Sequence, residues 1–165
     1  MDKHYLTPLF APASIAVLAG RADNPESLTS YAQALHPALR AQRFAGSLQF
    51  VDTHTSGTLA DLAQRKSDLA IIALPPAEVP AALEVAGRIG CRAALVLSSG
   101  MDADQAARLK KIARREGLYL LGPNSLGFQR PHLQLNASAA GPLAREGSLA
   151  LAGQSGPLPL SIRAW

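Results

Sequence analysis

Short apolar runs alternate with longer segments of helical period along most of the chain. Each apolar run is four to seven residues long, as expected for strands buried in a parallel sheet, and the segments between them carry apolar stripes typical of helices. The predicted strands are Ser14–Ala19, Ser47–Asp52, Asp68–Leu74, Arg92–Ser98, Leu118–Leu121 and Ser148–Ala152. The predicted helices are Glu26 to about Arg40, a short turn over Thr58–Ala63, Pro80–Ile89 and Asp102–Glu116.

This alternation is typical of βαβ units and predicts a Rossmann-like α/β fold, with a doubly wound parallel sheet in a single three-layer α/β/α domain. A length of 165 residues fits one such domain. Hydrophobic residues make up 48% of the chain and charged residues 17%, which suits strands covered on both faces. We expect the domain to span residues 1–152 and residues 153–165 to begin a following segment.

Composition and charge exclude several classes of protein. Cys91 is the single cysteine, so no intramolecular disulfide is possible, and no cluster of Cys and His has the spacing of a metal site. The net charge is +4, but the arginines are dispersed and few aromatics accompany them, which argues against a nucleic-acid partner. No signal-peptide core or membrane span is visible, so we expect a cytoplasmic protein without a membrane partner.

Ligands of doubly wound sheets bind at the carboxyl edge, so the loops after the strands are the candidates for chemistry. The loop after the first strand, Gly20–Leu28, precedes a helix and could receive a phosphate, with Arg21 as an extra donor. It lacks a G-x-G-x-x-G fingerprint, and the alternative is an ordinary loop in which Asn24 and Pro25 turn the chain and Ser27 or Asp23 caps the helix.

Three further loops stand out. Asp52 ends the second strand and could hold a ribose hydroxyl or simply face water. Gly122–Gly127 follows the fifth strand; its glycines allow close backbone approach, and Asn124 and Ser125 offer hydrogen bonds. Gly153–Gly156 could form a small anion-binding nest. The four histidines fall in unrelated segments and are expected at the surface rather than in catalysis.

Several of these segments, in this order, resemble the CoA-binding domain of NDP-forming acyl-CoA synthetases, a family related to the succinyl-CoA synthetase α subunit. The same domain forms the front half of some bacterial protein lysine acetyltransferases that carry a GNAT domain. The segments that carry the resemblance are Leu6–Val17, Leu74–Pro75, Ser98–Gly100, Gly122–Gly127 and Gly153–Gly156.

The resemblance implies that CoA or acyl-CoA lies across the carboxyl edge of the sheet. The Gly20–Ser27 loop would meet the CoA phosphates through Gly20, Arg21, Asn24 and Ser27. Asn124, beside Ser125, would face the reaction centre. Two segments would flank the ligand: Leu74, Pro75 and Pro76, and Ser98, Ser99 and Gly100. Ser155 and Gly156 would receive a phosphorylated histidine from a downstream domain, so the partners would be downstream synthetase or GNAT domains of a longer parent protein.

The chain also departs from the family pattern. Ala19 and Thr29 stand where the family usually has glycine, and Asp52 would disfavour the 3′-phosphate of CoA. A degenerate regulatory or interaction module that no longer binds CoA is therefore the alternative, and a nicotinamide-dependent dehydrogenase is a more distant one. Under both hypotheses, the CoA-binding domain and the degenerate module, we expect that the segment does not catalyse a reaction alone, because its loops assemble no nucleophile with an adjacent base.

Overall fold

The structure, a computed structural model, describes residues 4–20, 28–51 and 66–154. A five-stranded parallel sheet lies at its centre in the order β2-β1-β3-β4-β5. The strands are β1 (Ser14–Leu18), β2 (Ser47–Phe50), β3 (Leu69–Ile72), β4 (Ala93–Val96) and β5 (Tyr119–Leu121). This order confirms the predicted doubly wound sheet and places its switch point between β1 and β3.

Helices cover both faces of the sheet, which confirms the three-layer architecture. They are the short α1 (Thr7–Phe10), α2 (Ser30–Arg40), α3 (Val79–Arg88) and α4 (Ala103–Arg115). Alternate residues of each strand supply two separate cores. Ile15, Ile71 and Leu95 pack on the side of α1 and α2, whereas Leu18 and Val96 pack on the side of α3 and α4.

Local signals end most elements where the sequence predicts. Asp102 caps α4 through a capping box: its side chain accepts from the Gln105 amide, and the Gln105 side chain accepts from the Asp102 amide. Gly90 follows α3 with a positive φ of 83°. The start of α2 is predicted too early, since the helix begins at Ser30 with Thr29 as its N-cap. The predicted helical turn over Thr58–Ala63 lies outside the described residues.

The prediction of a sixth strand is wrong. Ser148–Ala152 forms no strand, and its Leu149 is 98% exposed. An antiparallel hairpin stands earlier in the chain instead, formed by β6 (Gly127–Arg130), a 3₁₀ turn (Pro131–Leu133) and β7 (Leu135–Ser138). Leu135 and Ala137 belong to the same core as α2, so the hairpin extends that face of the domain.

The expectation that every histidine lies at the surface is also wrong for His36. Its side chain is buried on α2, where it stacks on the Phe50 ring at a centroid distance of 5.1 Å. Ala32, Leu35 and Leu39 share the same buried stripe of the helix, and this draws His36 inward. His54 lies outside the described residues, while His4 and His132 are exposed.

Candidate functional site

Four loops meet at the carboxyl edge of the sheet because their strands are neighbours in register. Leu18 pairs with Ile72, and Ile72 pairs with Val96, so the segments that follow β1, β3 and β4 emerge side by side. Leu95 pairs with Leu121, which brings the loop after β5 to the same edge. The described parts of the predicted site are therefore collected in one place.

The loop after β1 enters this edge at Gly20, whose φ is 71°. A Cβ at this position would lie 2.9 Å from Leu28 Cδ2, so glycine allows the chain to pass close to the start of α2. Arg21, Asn24 and Ser27 lie outside the described residues. Ala19, which precedes the loop, is 1% exposed and packs in the core beside α2 rather than at the edge.

Thr29 joins the start of α2 to the end of β3. Its hydroxyl donates to the Ala73 carbonyl at 2.9 Å and accepts from the Ala32 amide at 3.1 Å. The sequence argument treated this threonine only as a departure from glycine. Its N-cap role was detectable, because threonine directly before a segment of helical period is a common helix start.

The segments after β3 and β4 contribute both structural and accessible residues. Ser98 is buried, and its hydroxyl donates to the Leu74 carbonyl at 2.6 Å, so these two residues hold the ends of the strands together. Pro75 and Pro76 are half-buried, whereas Ser99 and Gly100 are exposed. The accessible wall of this part of the site thus consists of the two prolines, Ser99 and Gly100.

The loop after β5 folds back over the end of β4. The Asn124 amide donates to the Ser98 carbonyl at 2.9 Å, and Gly122 passes so close to β4 that a Cβ would clash with the Val96 carbonyl oxygen. A Cβ on Gly127 would clash with the Ala137 carbonyl oxygen in the same way. Both glycines therefore allow a close backbone approach, as the sequence predicts, and the neighbouring backbone belongs to the protein itself.

The two polar side chains of this loop have different surroundings. Ser125 is half-buried, and its hydroxyl accepts from the Gly127 amide at 3.1 Å. Asn124 is exposed and has a φ of 57°, a left-handed conformation that asparagine tolerates better than most residues. Asn124 is thus the residue of the loop whose side chain is accessible at the edge.

Among the described residues, the helix dipole of α2 contributes to the electrostatics of this edge. The predicted site residues that the structure describes are all uncharged, and α2 directs its N-terminus, with its partial positive charge, to the switch point. Cys91 lies near the opposite edge, between α3 and β4, where burial, with the nearby Asp68 charge adding to it, raises the pKa of its thiol to about 12. In the described ranges no group of three His, Cys, Asp or Glu could hold a metal ion.

Residues 47–131 match a protein family described as CoA binding domain. The match spans just over half of the chain, from β2 through β6, and it includes the loops after β3, β4 and β5. This chain belongs to that family. It is a CoA-binding domain related to ADP-forming acetyl-CoA synthetases, and the family confirms both the resemblance and the CoA ligand that it implies.

Similar curated proteins are much longer than the matched segment. An acetate–CoA ligase (ADP-forming) of Methanocaldococcus jannaschii is 33% identical over 93 residues, which is 54% of this chain and 13% of that protein. Ligase I of Archaeoglobus fulgidus is 35% identical over 104 residues, covering 59% of this chain and 15% of its own length. The α subunit of ligase I of Pyrococcus furiosus is 33% identical, with 59% and 22% covered. The chain therefore matches less than a quarter of each relative.

Solved structures share the fold of this CoA-binding domain. A protein of Pyrococcus horikoshii superposes with a TM-score of 0.81 at 24% identity, over 96% of this chain and 38% of the other. The dinucleotide-forming acetyl-coenzyme A synthetase 1 of Ca. Korarchaeum cryptofilum, in its apo form, gives a TM-score of 0.73 at 24% identity, over 96% of this chain and 36% of the other.

Within the described residues, no helix has the length and apolar character needed to cross a bilayer.

Proposed function

We propose that this domain binds CoA or acyl-CoA across the carboxyl edge of its sheet. The family match over residues 47–131 carries the proposal, because that segment contains three of the four loops that the topology brings together. The fourth loop adds the N-terminus of α2 at the switch point, where doubly wound folds receive phosphates. The accessible residues of this edge suit a long ligand with an anionic end and a neutral arm.

Each predicted residue has a role in this proposal. The Gly20–Ser27 segment, including Arg21 and Asn24, and the start of α2 receive the phosphates. Asn124 lies toward the thiol end of the ligand. Pro75, Pro76, Ser99 and Gly100 line the arm between the two ends. Leu74, Ser98 and Ser125 shape the wall from behind, since the Ser98 and Ser125 hydroxyls already have partners inside the protein.

We further propose that the domain acts within a larger synthetase-like or lysine acetyltransferase protein and does not catalyse alone. The length of the relatives supports this proposal, as does the lack of a nucleophile with an adjacent base among the described loop residues. The proposed domain covers residues 1–152, and residues 153–165, with Ser155 and Gly156, begin the part that meets a downstream domain. A CoA ligand supports the proposed cytoplasmic location.

The alternative, a module that has lost CoA binding, rests on three substitutions. The Ala19 side chain is buried in the core, and the Thr29 hydroxyl makes both of its hydrogen bonds inside the protein. These two positions therefore give little support to a blocked site. Asp52 lies outside the described residues, so it is the residue on which the alternative now depends.

Calorimetric titration of the purified domain with CoA, acetyl-CoA, 3′-dephospho-CoA and NAD tests the proposal. We expect a Kd for CoA in the micromolar range, about −8 kcal/mol, and no measurable heat with NAD. Tighter binding of 3′-dephospho-CoA than of CoA would identify Asp52 as unfavourable to the 3′-phosphate. Absence of heat with all four ligands at millimolar concentration would reject CoA binding and favour the regulatory module.

A single substitution tests whether the ligand contacts the loop after β5. Asn124→Asp keeps the shape and the tolerance for a positive φ while replacing the side-chain amide donor with a carboxylate that can only accept. We expect the Kd for CoA to rise by about three- to tenfold, because the hydrogen bond that the amide would donate to the thiol end of the ligand is lost. The matched control is Gln134→Glu, because Gln134 is also exposed and has a φ of 51° but lies on the hairpin. Equal effects of the two substitutions would contradict the assignment of Asn124.

A further inference from the structure

The start of α2 is held against the end of β3 by one side chain. The Thr29 hydroxyl donates to the Ala73 carbonyl at 2.9 Å and accepts from the Ala32 amide at 3.1 Å. One hydroxyl therefore bonds both to the end of β3 and to the first turn of α2. The Ala73 amide donates in turn to the Leu18 carbonyl at 3.0 Å. The three elements that bound the switch point, β1, β3 and α2, are thereby joined in one hydrogen-bonded chain.

This connection bears on how an anion is received. The first amides of a helix have no partner within it, and Thr29 satisfies the Ala32 amide. As far as the described residues show, the Ser30 and Tyr31 amides then remain as the donors of the first turn. The same hydroxyl also satisfies the Ala73 carbonyl, whose partial negative charge would otherwise stand at the edge where a phosphate approaches. Thr29 therefore both orients the donors and neutralises an acceptor.

We propose that Thr29 is a positioning residue for the pyrophosphate of the nucleotide, acting through the helix start and the Ala73 carbonyl rather than by contact with the ligand. The inference rests on the proposed CoA function. It deepens that function, because it assigns pyrophosphate recognition to the α2 end of the site and makes it depend on a hydroxyl. A ligand without a pyrophosphate should be insensitive to this residue.

Three substitutions at position 29 separate the hydroxyl from the bulk of the side chain. Thr29→Val keeps the volume and removes both hydrogen bonds, Thr29→Ser keeps the hydroxyl, and Thr29→Ala removes the bonds with less crowding if the valine variant does not fold. A matched control exists at the opposite edge of the sheet. The Ser14 hydroxyl donates to the Lys66 carbonyl at 3.3 Å and accepts from the Asp68 amide at 3.0 Å, so Ser14→Ala deletes two side-chain bonds while the Asp68 amide keeps its bond to the Ser14 carbonyl.

The experiment measures the Kd of each folded variant for CoA, ADP and adenosine by NMR titration, which reaches millimolar values. Thr29→Val, or Thr29→Ala, should weaken CoA and ADP by about three- to tenfold, corresponding to the loss of one or two hydrogen bonds. Adenosine binding should change less than about twofold. Thr29→Ser should restore the affinity for CoA and ADP, and Ser14→Ala should leave all three ligands unaffected although it lowers the melting temperature.

Each contrary outcome has one meaning. If the wild-type domain binds CoA and the valine or alanine variant binds it equally well, the role of Thr29 is rejected and the proposed function stands. If adenosine weakens as much as ADP, or Ser14→Ala weakens CoA to the same degree, the effect is one of general stability and the positioning role is rejected. If the wild-type domain binds neither CoA nor ADP, the proposed function fails and the inference fails with it.

Discussion

At the scale of single residues, the side chain of His36 has an unusual environment. Its side chain is buried, and among the described residues neither ring nitrogen has a hydrogen-bond partner. Burying an unsatisfied polar group costs more than the stacking on Phe50 returns. We therefore predict that His36→Leu raises the free energy of unfolding by about 1 kcal/mol, measured by urea denaturation at neutral pH. The exposed His132→Leu is the control, with a change below about 0.5 kcal/mol. A lower stability of His36→Leu would show that the imidazole has a stabilising partner.

The same residue shows what a sequence pattern can and cannot convey. Its position on the stripe with Ala32, Leu35 and Leu39 was visible from helical periodicity, so its burial could have been predicted. The lack of a partner for its nitrogens could not, because it depends on which side chains the fold brings near it. Thr29 is similar: its capping role follows from the sequence, whereas its bond to Ala73, 44 residues away, depends on the tertiary structure.

At the scale of elements, one side-chain amide joins the hairpin to the segment that follows it. Gln129 on β6 accepts from the Ala144 amide at 2.9 Å, and its Nε2 lies within 3.5 Å of four acceptors. Those acceptors are the Asn136, Ser138, Gly141 and Pro142 oxygens. Gln129→Glu puts a carboxylate oxygen against these acceptors, so we predict that the free energy of unfolding falls by about 1–3 kcal/mol. Faster hydrogen exchange of the Ala144 amide would show that the segment after the hairpin has loosened.

The control for this element is Gln105→Glu. Gln105 uses its side-chain oxygen to accept from the Asp102 amide, a position where glutamate serves equally well in a capping box. We expect no loss of stability from Gln105→Glu. If both substitutions are neutral, the polar cluster around Gln129 does not hold the segment after the hairpin in place.

The strands of the sheet and those of the hairpin differ in how well the sequence predicts them. β3 and β4 are apolar at every position and buried on both faces, so the sequence alone locates them. β7 is equally buried but contains Asn136 and Ser138, which bond to each other and to Gln129 and Gly141 once the hairpin and the turn after it have formed. The opposite error concerns Ser148–Ala152, whose alternating leucines suggest a strand although no neighbouring strand pairs with it in the described chain.

At the scale of the whole molecule, these leucines mark where the folded core stops. Leu149 is 98% and Leu151 is 53% exposed, and neither belongs to the two cores of the described residues. We predict that the double substitution Leu149→Lys and Leu151→Lys changes the free energy of unfolding by less than about 0.5 kcal/mol and leaves the Kd for CoA unchanged. Thermal denaturation and calorimetry measure the two quantities.

A buried leucine provides the contrast for this prediction. Leu135 is fully buried beside α2, so Leu135→Ala should lower the free energy of unfolding by about 2–5 kcal/mol in the same thermal denaturation assay. If the double lysine variant loses several kcal/mol as well, the segment packs on the domain in solution, and residues up to 151 belong to its core. If it loses none, the core is complete before Leu149, and the apolar side chains of this segment are available to whatever follows the domain in a longer protein.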